Sequence, residues 1–365
     1  MAKKKLADKL KGVKKTKRRK EPLWRGPEID GVTQSMLGSF LECRERFRLF
    51  VVEGLRPADE FNHRIEYGNM WHICEEAYGK GEPYSEKLFQ YAKVLCSRYP
   101  LSQQQIAHWA NVCDVQFPVY VDYWEFQEDK RRKYESILQE EEFSVPYELP
   151  TGRIVLLRGK WDEVLAVGKG RNRSILLQEN KTKGDIKEQL VEKQLGFDLQ
   201  TMFYLTALSK HKRFLQRKVK GVRYNVIRRP LSGGKGSIRQ HKPTKSNPKG
   251  ESSEEFYNRL GGIIRDDPQY FFMRWEVGIS DTDITNFQIR FLNPILIQLC
   301  DWWDWMSKFP SNPFGSELTG VHFQTPYGIY NSLAQGGKTE LDEYLASGSE
   351  LGLEQTTTVF PELEG

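Results

Sequence analysis

RGKWDEVLAV (residues 158–167) and SILLQENKTK (residues 174–183) decide the fold. Both are short, β-branched or apolar runs, and the GKGRN between Val167 and Arg173 has the Gly and Asn content of a hairpin connection. Residues i and i+2 of a strand share a face, so Glu179 and Lys181 should project together while Asn180 faces away. Asp162, on the preceding strand of the same hairpin, is placed to face them across the ladder. Ile175, Leu176 and Leu177 are apolar on both faces, which predicts a buried central strand where a glutamate and a lysine are costly without a purpose.

Two carboxylates and an ammonium converging on one spot have a chemical rationale. Carboxylate oxygens bind hard cations such as Mg²⁺, which keeps waters and takes few protein ligands beside a substrate phosphate. Such a cation acidifies a bound water and offsets charge in the transition state. Lys181 would orient that water or neutralise developing negative charge, and the reaction expected is phosphodiester hydrolysis. Alone, an Asp followed later by Glu-x-Lys is weak evidence, because such alternation is usually a strand's polar face.

Outward from this hairpin, patterning predicts helices over 33–50 and 65–78, and a helical layer reaching residue 140. Thr33 or Ser35 would be the N-cap of the first helix. Strands are predicted over 142–149, 153–159, 160–167, 174–181 and 221–227, with a helix over 187–209 before the last of these. Residues 231–253, rich in Gly, Ser, Pro and Lys, read as a basic loop, and helices resume over 253–265 and 282–308. Residues 1–30 read as a basic disordered tail and 336–365 as an acidic flexible one, leaving 31–335 as a single domain: helical layer 33–140, sheet and helix 141–230, basic loop 231–253 and C-terminal helices 254–310.

The 365 residues carry 38% hydrophobic, 28% charged and 12% aromatic side chains, the balance of a soluble globular protein that needs no covalent staple. No apolar run approaches the roughly 20 residues of a membrane span, and no apolar stretch follows the lysine-rich start as a secretory signal would require. Five scattered cysteines without a CxxC pair suggest neither a disulfide framework nor a zinc knuckle, so a cytoplasmic location is expected. The net charge of +6 is uneven, concentrated in residues 1–20 and from Lys210 to Lys249, which makes nucleic acid the first partner to consider. Residues 1–20 could equally be a solvated tail.

Five elements in order resemble the PD-(D/E)XK nuclease superfamily, in particular its RecB-like and AddB-like branch with related phage and CRISPR-associated exonucleases. They are SMLGSFLECRERFRLF (35–50), GNMWH (68–72), GKWD (159–162), ENK (179–181) and QTMFY (200–204). The resemblance implies a restriction-endonuclease-like α/β (α+β) core, a central mixed sheet flanked by helices, with added helical segments at both ends. It implies His72 as a metal ligand, Asp162 as a bridging one, Glu179 and the Asn180 backbone carbonyl as further ligands, and Lys181, Gln200 and Tyr204 in the active site. Glu75 or Glu76, following His72 on its helix, would be an outer partner.

One or two Mg²⁺ or Mn²⁺ ions are the expected cofactors. Some relatives hold an iron–sulfur cluster through a first-helix cysteine and three later ones; Cys43 matches the first, but residues 309–330 contain no cysteine, so no cluster is expected. Lys210, Lys212, Arg213, Arg217, Lys218 and Lys220 follow the QxxxY helix and are placed to receive DNA phosphates. The tryptophans at 302, 303 and 305 read as core. A DNA exonuclease serving recombination, repair or phage DNA processing is the leading expectation; a structure-selective endonuclease and a non-catalytic DNA-binding subunit are the alternatives. No Walker A loop is present, so a helicase, a single-strand-binding protein or a recombination protein is the expected partner.

Overall fold

Leu176 and Leu177, buried on both faces of one strand, mark the middle of a five-stranded sheet. The computed structural model describes residues 22–57, 60–125, 134–168, 173–184, 186, 198–230, 238–245, 248–308, 353–360 and 363. In chain order the elements are α1 (Gln34–Glu42), β1 (Leu55–Pro57), α2 (His63–Gly79), α3 (Tyr84–Arg98), α4 (Gln103–Trp124), β2 (Tyr134–Glu148), β3 (Ile154–Val167) and β4 (Ser174–Lys183). They continue as α5 (Leu199–Lys210), β5 (Val219–Arg228), α6 (Ser253–Asp266), β6 (Phe272–Gly278), α7 (Asp281–Phe287), α8 (Asn293–Lys308) and β7 (Leu353–Gln355). The chain falls into two compact units: one takes residues up to 59, 148–156 and those from 293, the other 60–147 and 157–292.

The second unit holds the sheet, ordered β2-β3-β4-β5-β6. β3 and β4 are antiparallel, β4 and β5 parallel, β5 and β6 antiparallel, which makes the sheet mixed. A parallel pair needs a crossover, and α5 lies in the one between β4 and β5. Asp198 caps α5 by accepting from the Thr201 backbone N–H at 3.0 Å. Helices α2, α3, α4 and α6 share an aromatic core in which Trp71 meets Phe117 and Tyr120 edge-on at 5.4 and 5.1 Å.

In the first unit Thr33 caps α1, accepting from the Met36 N–H at 3.3 Å as its position predicted. Fully buried Trp24 packs on Phe47 and Trp303, and Trp302 packs on Phe40 and Phe47; Trp305 is 42% exposed, outside the core expected for it. Cys43 is buried. β1 pairs with β7 antiparallel, an ordered strand inside the stretch 336–365 read as flexible.

Other boundaries also differ. The expected helical layer to residue 140 gives way to strand at Tyr134, the two strands expected over 153–167 are one, and β6 had no pattern to announce it. The helix expected over 282–308 is α7, a π-helical turn at Gln288–Leu292, then α8. Residues 1–21, 169–172, 187–197, 231–237 and 309–352 carry sequence expectations that lie outside the described residues. Among the described residues no helix is long and apolar enough to cross a membrane.

Candidate active site

The β3–β4 ladder pairs Glu163 with Gln178, and just beyond that rung Asp162 Oδ2 accepts the Asn180 backbone N–H at 2.7 Å. Glu179 is fully buried, and its Oε2 accepts from Lys181 Nζ at 3.1 Å and Gln200 Nε2 at 2.9 Å. Lys181 Nζ also donates to Gln200 Oε1 at 2.9 Å, closing a triangle between β4 and the first turn of α5. Glu179 Oε1 is buried with no hydrogen bond, an arrangement costly for a carboxylate unless another group takes it up. Tyr204, one turn along α5, stands edge-on to Phe143 at 5.4 Å over Gly159.

His72, from α2, directs Nδ1 at two carboxylates: Glu140 Oε1 at 2.8 Å and Asp162 Oδ1 at 3.9 Å. The ligand atoms of His72, Glu140 and Asp162 all lie within 4.8 Å of one another. Lys160 Nζ sits 2.9 Å from Glu140 Oε2. Imidazole and carboxylate oxygens suit a divalent cation, and together with the orphaned Glu179 oxygen they make the donor set fit one.

A second network backs the first. The Asn180 side chain, turned away from Glu179 as strand alternation requires, donates to Glu75 Oε2 at 2.6 Å and accepts from Asn225 Nδ2 at 3.0 Å. Glu75 Oε1 accepts from Tyr120 at 3.0 Å, and Arg274 donates to Asn225 Oδ1 at 3.2 Å. A strand residue's N–H and C=O point toward the same neighbour, so the Asn180 carbonyl lies on the Asp162 side. Glu75 thus supports β4 instead of bonding His72, while Glu76 pairs with Lys80.

Proton affinities follow from this crowding. Burial opposes charge on His72, yet Asp162, the hydrogen bond to Glu140, and the charges of Glu140 and Glu75 raise its pKa from 6.5 to about 10. Burial pushes Glu179 from 4.5 to about 8, aided by Asp162 and opposed by Lys181. It pushes Glu75 to about 8 and raises Asp162 as well. Glu140 is held below the usual carboxylate range: burial opposes this, but His72 and Lys160 prevail. Lys181 stays charged, because Glu179 and Asp162 outweigh its burial.

All six basic residues expected to receive phosphates, Lys210, Lys212, Arg213, Arg217, Lys218 and Lys220, are exposed. Arg213 is tied to the Ile137 carbonyl at 3.0 Å, and buried Phe214 anchors the turn. Sequence reasoning missed Glu140, Lys160, Asn225 and Tyr120. Lys160 lies inside the GKWD motif, but Glu140 sits in the charge run QEEE and gave no signal.

His72 on α2, Glu140 on β2, Asp162 on β3 and Glu179 and Lys181 on the central strand β4 together form a site suited to a divalent cation. A family model for the PD-(D/E)XK nuclease superfamily matches residues 32–275, well over half of the chain, and the chain belongs to that superfamily, whose members use divalent metal ions. A solved structure described as "Crystal structure of SSO0001" is similar over 82% of this chain and 92% of that one, at 13% identity and a TM-score of 0.25, a likeness too loose to carry an argument. No curated protein matches.

Proposed function

We propose that the chain is a DNA exonuclease of the RecB/AddB-like branch, serving recombination, repair or phage DNA processing and using Mg²⁺ or Mn²⁺ without an iron–sulfur cluster. The observation that carries this reading is the closed Glu179–Lys181–Gln200 triangle set beside Asp162 and His72. His72, Asp162, Glu179 and the Asn180 carbonyl are the groups that would hold divalent metal, as one ion or as two that share Asp162. When bound, the cation acidifies a water and offsets negative charge on the phosphate.

The chain's own residues supply positioning and charge. Lys181, fixed by two acceptors, directs its remaining N–H toward the attacked phosphate or the water. Gln200 keeps that ammonium and the Glu179 carboxylate in register, and Tyr204 lines the same helix face. Lys210 to Lys220 receive backbone phosphates through counterion release. A helicase, single-strand-binding or recombination protein would deliver the DNA end.

The test is incubation with end-labelled linear and with circular DNA, single- and double-stranded, in Mg²⁺, Mn²⁺ or chelator. Cleavage confined to linear DNA and abolished by chelator is expected. Cutting of circles would replace the exonuclease reading with an endonuclease one. Full activity in Asp162→Ala or Lys181→Ala would remove the assigned site.

A further inference from the structure

Glu140 belongs to none of the five motif elements, yet it reaches the centre of the cluster. It is the one non-glycine among the described residues with positive φ, at +46°, inside a strand. That conformation disfavours an L side chain and persists where the surroundings over-determine it. The carboxylate is 3% exposed, with Oε1 on His72 and Oε2 on Lys160.

The donors of the centre fall into two halves that share Asp162. His72, Glu140 and Asp162 form the group within 4.8 Å, and Glu179 stands outside it. Asp162 Oδ1 faces His72 at 3.9 Å, while its Oδ2 is turned to the Asn180 N–H, beside Glu179. The buried, unpartnered Glu179 Oε1 belongs to that other half. Ligands around a small cation at about 2.1 Å stand roughly 3 to 4 Å apart, the range spanned by the His72 contacts of 2.8 and 3.9 Å.

We propose that Glu140 is a metal ligand, holding with His72 and Asp162 a second divalent-cation position distinct from the one at Asp162 and Glu179. This rests on the metal-dependent nuclease reading and adds a residue and a site to it. His72, Glu140 and Asp162 would hold the added cation, which would supply further stabilisation of negative charge on a phosphodiester. Lys160 would then release Glu140 Oε2 and be free to meet a phosphate oxygen.

The experiment is Mn²⁺ titration of the full chain by electron paramagnetic resonance and calorimetry, comparing wild type with Glu140→Gln and Glu140→Asp, each checked for folding by circular dichroism. The amide of the Glu140→Gln variant would still accept the His72 hydrogen bond but supplies no anionic ligand. Wild type is expected to bind two Mn²⁺ per chain and Glu140→Gln one, a loss beyond the roughly 10- to 100-fold that deleting an outer partner costs. Glu140→Asp should recover the second ion at weakened affinity. One ion in wild type, or two in Glu140→Gln at affinities within about threefold of wild type, would overturn the proposal. Two bound ions with no DNA cleavage would instead defeat the nuclease reading and leave the second site standing.

Discussion

Lys181 and Gln200 meet across the gap between β4 and α5, the ammonium donating to the amide oxygen at 2.9 Å while the amide nitrogen donates to Glu179. The glutamine therefore binds both charged groups at once and fixes their rotamers. Gln200→Ala should lower kcat by about 10- to 100-fold with a smaller change in KM, as loss of an outer partner does. Steady-state cleavage of a labelled oligonucleotide checks this, and an unchanged kcat would remove Gln200 from the machinery.

Lys181→Ala should lose about 10²- to 10³-fold in kcat, the cost of deleting one donor aimed at developing charge. Its affinity for Mn²⁺ should not fall, because no cation ligand is lost. Calorimetry of the variant separates the two effects.

Without metal, Glu179 and Glu75 are raised to about 8 and His72 to about 10. All three bind protons more tightly in the folded chain than in the unfolded one, so between roughly pH 5 and pH 9 the chelated protein should lose stability as pH rises. Divalent cation replaces those protons, so the thermal shift it produces should grow over the same range. Melting curves in chelator and in Mn²⁺ test the sign; a chelated protein that gains stability toward pH 9 would contradict it.

Asn225, fully buried, joins Asn180, Tyr120 and Arg274. Asn225→Leu should destabilise the fold by about 1–3 kcal/mol by leaving those partners unsatisfied. Urea unfolding measures it, and a neutral result would mean that the network rearranges.

The exposed run from Lys210 to Lys220 should act through affinity. Replacing Lys212, Arg217 and Lys218 with Ala should weaken DNA binding alike for all sequences and reduce the salt slope by roughly one per lost phosphate contact. Fluorescence anisotropy over a salt series reads both.

Much of this was legible because it is local. Alternation along β4 set Glu179 and Lys181 against Asn180, and the four-residue spacing of Gln200 and Tyr204 placed them on one face of α5. Glu140 was not legible: Leu138, Gln139 and the glutamates after it are good helix formers, and only pairing in the sheet makes them a strand. The ring of Glu75, Tyr120, Asn180 and Asn225 draws on four elements, and no short-range pattern records a contact of that kind.

Gly159 gives the GKWD motif a second meaning. A Cβ there would lie 2.6 Å from the Phe143 ring and 2.9 Å from Tyr204. The motif's first letter is thus a socket into which two rings close, three residues before the aspartate proposed to hold the cation. A genetic screen for inactive variants would recover substitutions at Gly159 alongside those at Asp162. Loss of function alone would not distinguish the residue proposed to hold the cation from the one that lets its neighbours sit down.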